Sequence, residues 1–313
     1  MHDYLWDKTG EPDPEIQHLE AVLAPLGHRP GVWRRRKRSW VPPLAMTASL
    51  LVATAAVWYA YRPAGPSWQV SALAGRPSLA RLGKGQSLIT DGASRAKLEL
   101  SDIGEIEVEP NTQVSVVSLR PEEQRLALQR GVIHATIWAP PARFYVNTPS
   151  AVAVDLGCAY TLEVDGSGTS LVRVSAGWVA FEGQGRESFI PQSAACRTRP
   201  GKGPGIPFYE DASPGLKNAV ERFDLTASPE SAQTIVAAAR SHDALTLWHL
   251  LRRVPASERG RVFDRLAAVI SLPPAVTRDK VMAADPKTID ALWDALDLGD
   301  TAWWRHWKSY LPK

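Results

Sequence analysis

The chain is poor in the residues that announce catalysis or metal binding. It has two cysteines, Cys158 and Cys196, and seven histidines in 313 residues. His2, His18 and His28 have no cysteine nearby and no ligand spacing, which argues against zinc. There is no Gly-x-Ser-x-Gly, no phosphate-binding loop and no dinucleotide-binding glycine pattern. Glu105, Glu107 and Glu109 alternate along one strand, which reads as a solvated face, and His134 has no nucleophile at a recognisable spacing. No enzyme is expected, and no cofactor. The net charge is only +3, so nothing suggests a nucleic-acid-binding surface. No exact repeat period is visible.

What is present begins with an apolar run. About 21 uncharged residues extend from Val41 to Tyr61, directly after the basic run Arg34, Arg35, Arg36, Lys37 and Arg38. As a helix this run covers roughly 30 Å, the hydrocarbon thickness of a bilayer. The flanking cations favour a cytoplasmic N-terminus, and Trp40, Trp58, Tyr59 and Tyr61 fit interfacial belts. Three readings compete. A cleaved signal peptide has a shorter basic region and a small-x-small exit. A twin-arginine signal would not continue into Pro42 and Pro43. A buried core helix rarely lacks a polar side for so long. The expectation is a single transmembrane helix over 40–61. The chain would then be a single-pass protein with a short inside tail and a large C-terminal part outside. In a periplasmic or extracellular setting Cys158 and Cys196 invite one disulfide, or else they are two unrelated buried thiols.

The tail, residues 1–39, starts acidic. Tyr4, Leu5 and Trp6 form an apolar hook. Asp13-Pro14-Glu15 reads as a helix start, with Asp13 as N-cap and Pro14 at the first helical position. Ile16, Leu19, Leu23 and Leu26, with Val22 beside them, place an apolar stripe on one face, and Gly27 ends the helix. So short a segment cannot bury that stripe in its own core. A docking element for a protein partner is the natural reading; a helix on a membrane surface is the alternative, disfavoured by its acidic face.

From Trp68 to about Thr198 the pattern is short alternating strands. Examples are Leu98-Glu99-Leu100, Ile106-Glu107-Val108 and Val114-Ser115-Val116. Asp165-Gly166-Ser167-Gly168 reads as a hairpin turn. After the linker-like 200–213, the pattern turns helical. Ser228-Pro229, Asp243, Ser257-Glu258 and Asp285-Pro286 each open a helix, and Asp300 caps a last one bearing Trp303, Trp304 and Trp307.

Within the strand region several pieces stand in a telling order. Leu126-Ala127-Leu128-Gln129-Arg130-Gly131 is followed by Arg143-Phe144-Tyr145-Val146-Asn147-Thr148. Val152 to Tyr160, closing on Gly157-Cys158-Ala159-Tyr160, precedes Leu171-Val172-Arg173-Val174 and Gly177-Trp178-Val179. Over roughly residues 69–199 the chain resembles the FecR family of membrane-anchored signalling proteins. The resemblance implies an anti-sigma-type regulator of a bacterial inner membrane, with a cytoplasmic N-terminus and periplasmic C-terminal domains. Its cytoplasmic tail would bind an extracytoplasmic-function (ECF) sigma factor, and its outer domain would sense a periplasmic or outer-membrane receptor protein. Where the family commonly has Gly-Thr, a bond at which some members self-cleave, this chain has Gly157-Cys158: either a thiol takes the attacking role there, or a glycine bend precedes a packed or disulfide-bonded cysteine. The expected fold is multidomain, α and β: a transmembrane helix, an all-β FecR-like domain over 62–199, the linker, and an all-α helical bundle over 214–313. The alternative function is an envelope binding or assembly module, with tail and span serving only as an anchor.

Overall fold

The computed structural model describes residues 9–11, 13–27, 65–75 and 79–298, with Thr54 alone between. The chain divides into two units, Met1–Pro63 and Ala64–Lys313.

In the first unit the described element is the helix α1, Pro14–Leu23, continued by a tight turn over Ala24–Leu26. The Asp13 carboxylate accepts from the Glu15 backbone N–H at 3.0 Å, and Pro14 occupies the first turn where its missing N–H costs nothing. No residue of α1 is buried.

The second unit is mostly β. Its strands form one sheet. They are β1 (Ser67–Ala74), β2 (Arg81–Gly83), β3 (Ser87–Ile89), β4 (Arg95–Glu99), β5 (Gly104–Val108), β6 (Gln113–Arg120) and β7 (Glu123–Ile137). These are followed by β8 (Phe144–Asn147), β9 (Val152–Val164), β10 (Ser170–Gly183), β11 (Arg186–Pro191), β12 (Ala194–Arg199), β13 (Gly203–Pro204) and β14 (Phe208–Tyr209). The main path runs β13-β12-β10-β9-β8-β7-β5-β4-β1-β2, with β3–β6 attached through β7. Most pairings are antiparallel, as the alternating sequence requires, and β8 lies parallel to β7. Side chains such as Leu98, Ile106, Val114 and Leu128 point inward while their neighbours face out.

The long strands bend at glycines. Gly131 lies where β7 leaves β6 and starts pairing with β9. A Cβ there would fall 2.5 Å from the Thr112 backbone. Gly177 sits in a bulged part of β10 at φ +70°, opposite Cys158. A Cβ there would come within 2.1 Å of the Gly157 carbonyl oxygen, a fixed backbone atom. Gly177→Ala is expected to destabilise the unit by more than about 2 kcal/mol, because the left-handed conformation and the clash add. Chemical denaturation of the two proteins measures it.

The helices follow in series: α2 (Pro214–Thr226), α3 (Pro229–Ala238), α4 (Ala244–Leu251), α5 (Ala256–Val269), α6 (Arg278–Met282) and α7 (Pro286–Asp294). Ser213, Ser228 and Asp285 cap α2, α3 and α7 with their side chains, each followed by proline. They do not build the expected separate all-α bundle. They are short helices whose apolar faces close onto the sheet, so that sheet and helices share one core. Trp293 of α7 packs its ring 6.1 Å from Trp178 of β10, 5.5 Å from Phe189 of β11 and 4.6 Å from Trp248 of α4. The stretch expected to be a linker, 200–213, is also part of this body. Gly203–Pro204 and Phe208–Tyr209 pair with β12, and Ile206 between them is fully buried.

The membrane expectation is corrected as well. No helix among the described residues is long and apolar enough to cross a membrane. The single-pass organisation is therefore not supported, nor is the inner-membrane placement with a cytoplasmic N-terminus and periplasmic C-terminal domains. The stretch 40–61 itself, apart from Thr54, and the cations at 34–38 lie outside the described residues, as does the helix expected after Asp300.

Candidate functional site

The most exposed apolar stripe of the described chain is on α1. Leu19 is 58 % exposed, Val22 60 %, Leu23 51 % and Leu26, just past the helix, 79 %. Ile16 is half-buried. Their three- and four-residue spacing aligns them on one face, as the sequence pattern requires. Glu11, Asp13, Glu15 and Glu20 surround that face with negative charge. Such a helix can insert its leucines into an apolar groove rimmed by cations. Tyr4, Leu5 and Trp6 of the expected contact lie outside the described residues.

At the Gly157-Cys158 turn the thiol is buried and hydrogen-bonded. Gly157, at φ +84°, turns β9 against the bulge of β10. The Asp155 carboxylate, 1 % exposed, accepts from the Gly157 N–H at 2.7 Å and from the Cys158 thiol at 2.8 Å. Burial raises Asp155 to about 7, against the lowering effect of those two hydrogen bonds. Burial first, and the Asp155 charge second, push the Cys158 thiol well above its ordinary range. The same causes raise Tyr160, whose buried hydroxyl has no hydrogen-bond partner. A thiol that is protonated and aimed at a carboxylate is a poor nucleophile toward the Gly157 carbonyl.

The two cysteines are free. Cys158 pairs with Gly177 and Cys196 with Val172, on opposite sides of β10. Five residues of strand separate those partners, on the order of 16 Å, beyond the ~7 Å reach of a disulfide. Cys196 instead donates to the Gly205 carbonyl at 3.3 Å, and burial pushes it up to about 12. The expected bridge is thus replaced by two separate buried thiols.

The alternating glutamates form a cross-strand ladder. Lys97 meets Glu105 at 2.5 Å, Arg95 meets Glu107 and Glu109, and His134 Nε2 lies 3.2 Å from Glu109. His134 Nδ1 meets the Thr161 hydroxyl at 2.8 Å. These are half-exposed pairs across β4, β5 and β7, with no nucleophile among them. Among the described residues no group of three or more histidine, cysteine or acidic side chains is arranged to hold a metal.

The turn, the ladder and the bend at Gly131 all fall inside one stretch that a known family shares. Residues 86–180 match the FecR protein family. The FecR stretch runs from β3 to the bulged half of β10, under a third of the chain, and includes the Asp155-Gly157-Cys158 turn and its partner Gly177. It lies within the region whose motifs resemble that family in the sequence. No curated protein matches the chain. Two crystal structures of a candidate anti-sigma factor from Parabacteroides distasonis are similar to it at 14 % identity and a TM-score of 0.36. They cover 43 % of this chain, and the chain spans 63 % of their length. A likeness that low assigns nothing further to this chain.

Sequence reasoning passed over Asp155. Its signal was available: a lone carboxylate inside the otherwise apolar run from Val152 to Leu156, which burial makes costly unless it is hydrogen-bonded. It also passed over the buried pair of Arg253 and Asp224, 3.6 Å apart, which ties the turn after α4 to α2. No local pattern marks that pair, since its members are distant in sequence.

Proposed function

We propose that the chain is a FecR-type regulator with two partner-binding parts. The tail helix α1 docks on an ECF sigma factor through Ile16, Leu19, Val22, Leu23 and Leu26, with Tyr4, Leu5 and Trp6 extending the contact. The β region takes a receptor protein. The FecR match at residues 86–180 supports the regulatory class. The observation that carries the tail's role is the exposed leucine stripe on a helix with no buried residue. A leucine left half-exposed forgoes up to about 1.5–3 kcal/mol of burial, which a partner groove recovers. The function proposed is regulatory, the class that the FecR match supports.

The test titrates the full chain with the purified ECF sigma factors of its source organism, one at a time. Leu19→Asp together with Leu23→Asp is expected to weaken the complex by roughly 100-fold or more, since two buried anchors are replaced by charges. The second unit should melt as in the unmodified protein. Unchanged affinity in a folded double variant would remove α1 from the interface.

A further inference from the structure

A cleft of about 580 Å³ opens between the β10–β11 hairpin and the C-terminal end of α4. Three guanidinium groups line it, from Arg186, Arg252 and Arg253, with Glu182 and Glu187 also on its wall. Each arginine arrives from a different constraint. Arg186 closes the hairpin opposite Gly183. Arg252 lies over the Trp248 ring, 4.7 Å from its centroid. Arg253 is fixed by the Pro204 carbonyl at 3.0 Å and the Ser188 hydroxyl at 2.7 Å. Asp224 offsets Arg253, and Glu187 bears on Arg252, yet Arg186 and Arg252 still act on Arg253 as like charges.

The fourth group is His249, 1 % exposed on α4 and lining the same cleft. Its Nε2 is buried with no hydrogen-bond partner. Burial, then the charges of Arg253 and Arg252, keep the ring neutral, while the Phe189 backbone engages the ring by a hydrogen bond. In a neutral imidazole one nitrogen donates and the other accepts. With the proton on the side of the Phe189 backbone, Nε2 is the acceptor. The cleft therefore offers fixed donors for anionic oxygens beside one buried acceptor that calls for an O–H.

We propose that this cleft binds a small phosphate-bearing molecule in a protonated oxyanion form. The guanidinium groups take the P–O oxygens, and His249 Nε2 accepts from the remaining P–OH. Arginine forks suit tetrahedral oxyanions, and a buried unpaired acceptor selects for the ligand that satisfies it. The site is independent of the sigma-factor reading.

Calorimetric titration of the full chain with inorganic phosphate near pH 7, against sulfate as comparison, tests this. Phosphate keeps an O–H at that pH and sulfate does not. Phosphate is expected to bind at least about tenfold more tightly than sulfate, and R186Q with R252Q to weaken phosphate by about tenfold or more. Arg186 is at an exposed position, and R252Q removes only the stacking on Trp248, so the double variant should still melt in one cooperative transition at a slightly lower temperature. Absence of phosphate binding at about 10 mM overturns the site. So does unchanged affinity in the double variant. Equal affinity for the two anions means an adventitious ion only, and overturns the proposal as well.

Discussion

Replacing Trp293 with alanine is expected to lower the stability of the second unit by about 3–5 kcal/mol, the range for a large buried aromatic. Its ring is 2 % exposed and meets Trp178 and Phe189 of the sheet as well as Trp248 of α4. Trp248 in turn donates its indole N–H to the Ile289 carbonyl of α7 at 3.1 Å. Loss of the Trp293 ring therefore opens a void exactly where sheet and helices meet, and the void cannot close without moving both. Denaturant unfolding followed by far-ultraviolet circular dichroism and by tryptophan fluorescence measures it. A single shifted transition in both probes is expected, because the two layers share a core. Two separated transitions in the unmodified protein would show that the helices fold as their own domain.

The second large effect is a dependence on pH set by Asp155. Its carboxyl lies at about 7 in the folded protein, above the ordinary 3.8, because burial disfavours its charge. A group whose folded value is raised contributes its full stabilisation below the unfolded value and loses it as pH rises through the folded one. Stability should fall by on the order of 3 kcal/mol between pH 5 and pH 8 from this group, at 1.36 kcal/mol per unit. Asp224, raised to about 6 mainly by burial, adds in the same direction. Asp155→Asn keeps an oxygen for the Gly157 N–H and removes the titration, so its stability profile should be flatter. A profile for Asp155→Asn as steep as that of the unmodified protein would place the pH dependence elsewhere.

Much of the local structure is legible in the chain. The starts at Asp13-Pro14, Ser228-Pro229 and Asp285-Pro286 occur where the cap chemistry places them. The Asp165–Gly168 turn joins β9 to β10, with the Asp165 carboxylate accepting from the Ser167 and Thr169 backbone. These elements are set by contacts within four residues. What escaped reading depends on contacts across the fold. Residues 200–213 carry the composition of a linker, yet Ile206 is buried and its N–H meets the Asp224 carboxylate at 3.1 Å. The helical residues look like a bundle because each helix is amphipathic, and periodicity does not say against what an apolar face packs. Nothing in the sequence around Gly177 announces the Gly157 carbonyl oxygen that stands against it. His249 sits in an apolar run, Leu245 to Leu251, where nothing in the sequence separates a core histidine from one lining a cleft.

The candidate site divides in the same way. The leucine stripe of α1 was visible as a period, and among the described residues none covers it. The Cys158 environment was not visible, because its chemistry is decided by Asp155 three residues earlier and by the burial of both. A cysteine beside a glycine turn suggests reactivity in one dimension; in three it is a packed thiol.

The measurement that bears most directly on the regulatory reading is a titration of the isolated segment 1–39 against the ECF sigma factors of its source organism, one at a time. Saturable one-to-one binding at about micromolar strength or better, abolished by Leu19→Asp and Leu23→Asp, is the expected result for a short amphipathic helix in a groove. If neither the segment nor the full chain binds any of them, the tail is not a sigma-factor docking element and the regulatory reading fails.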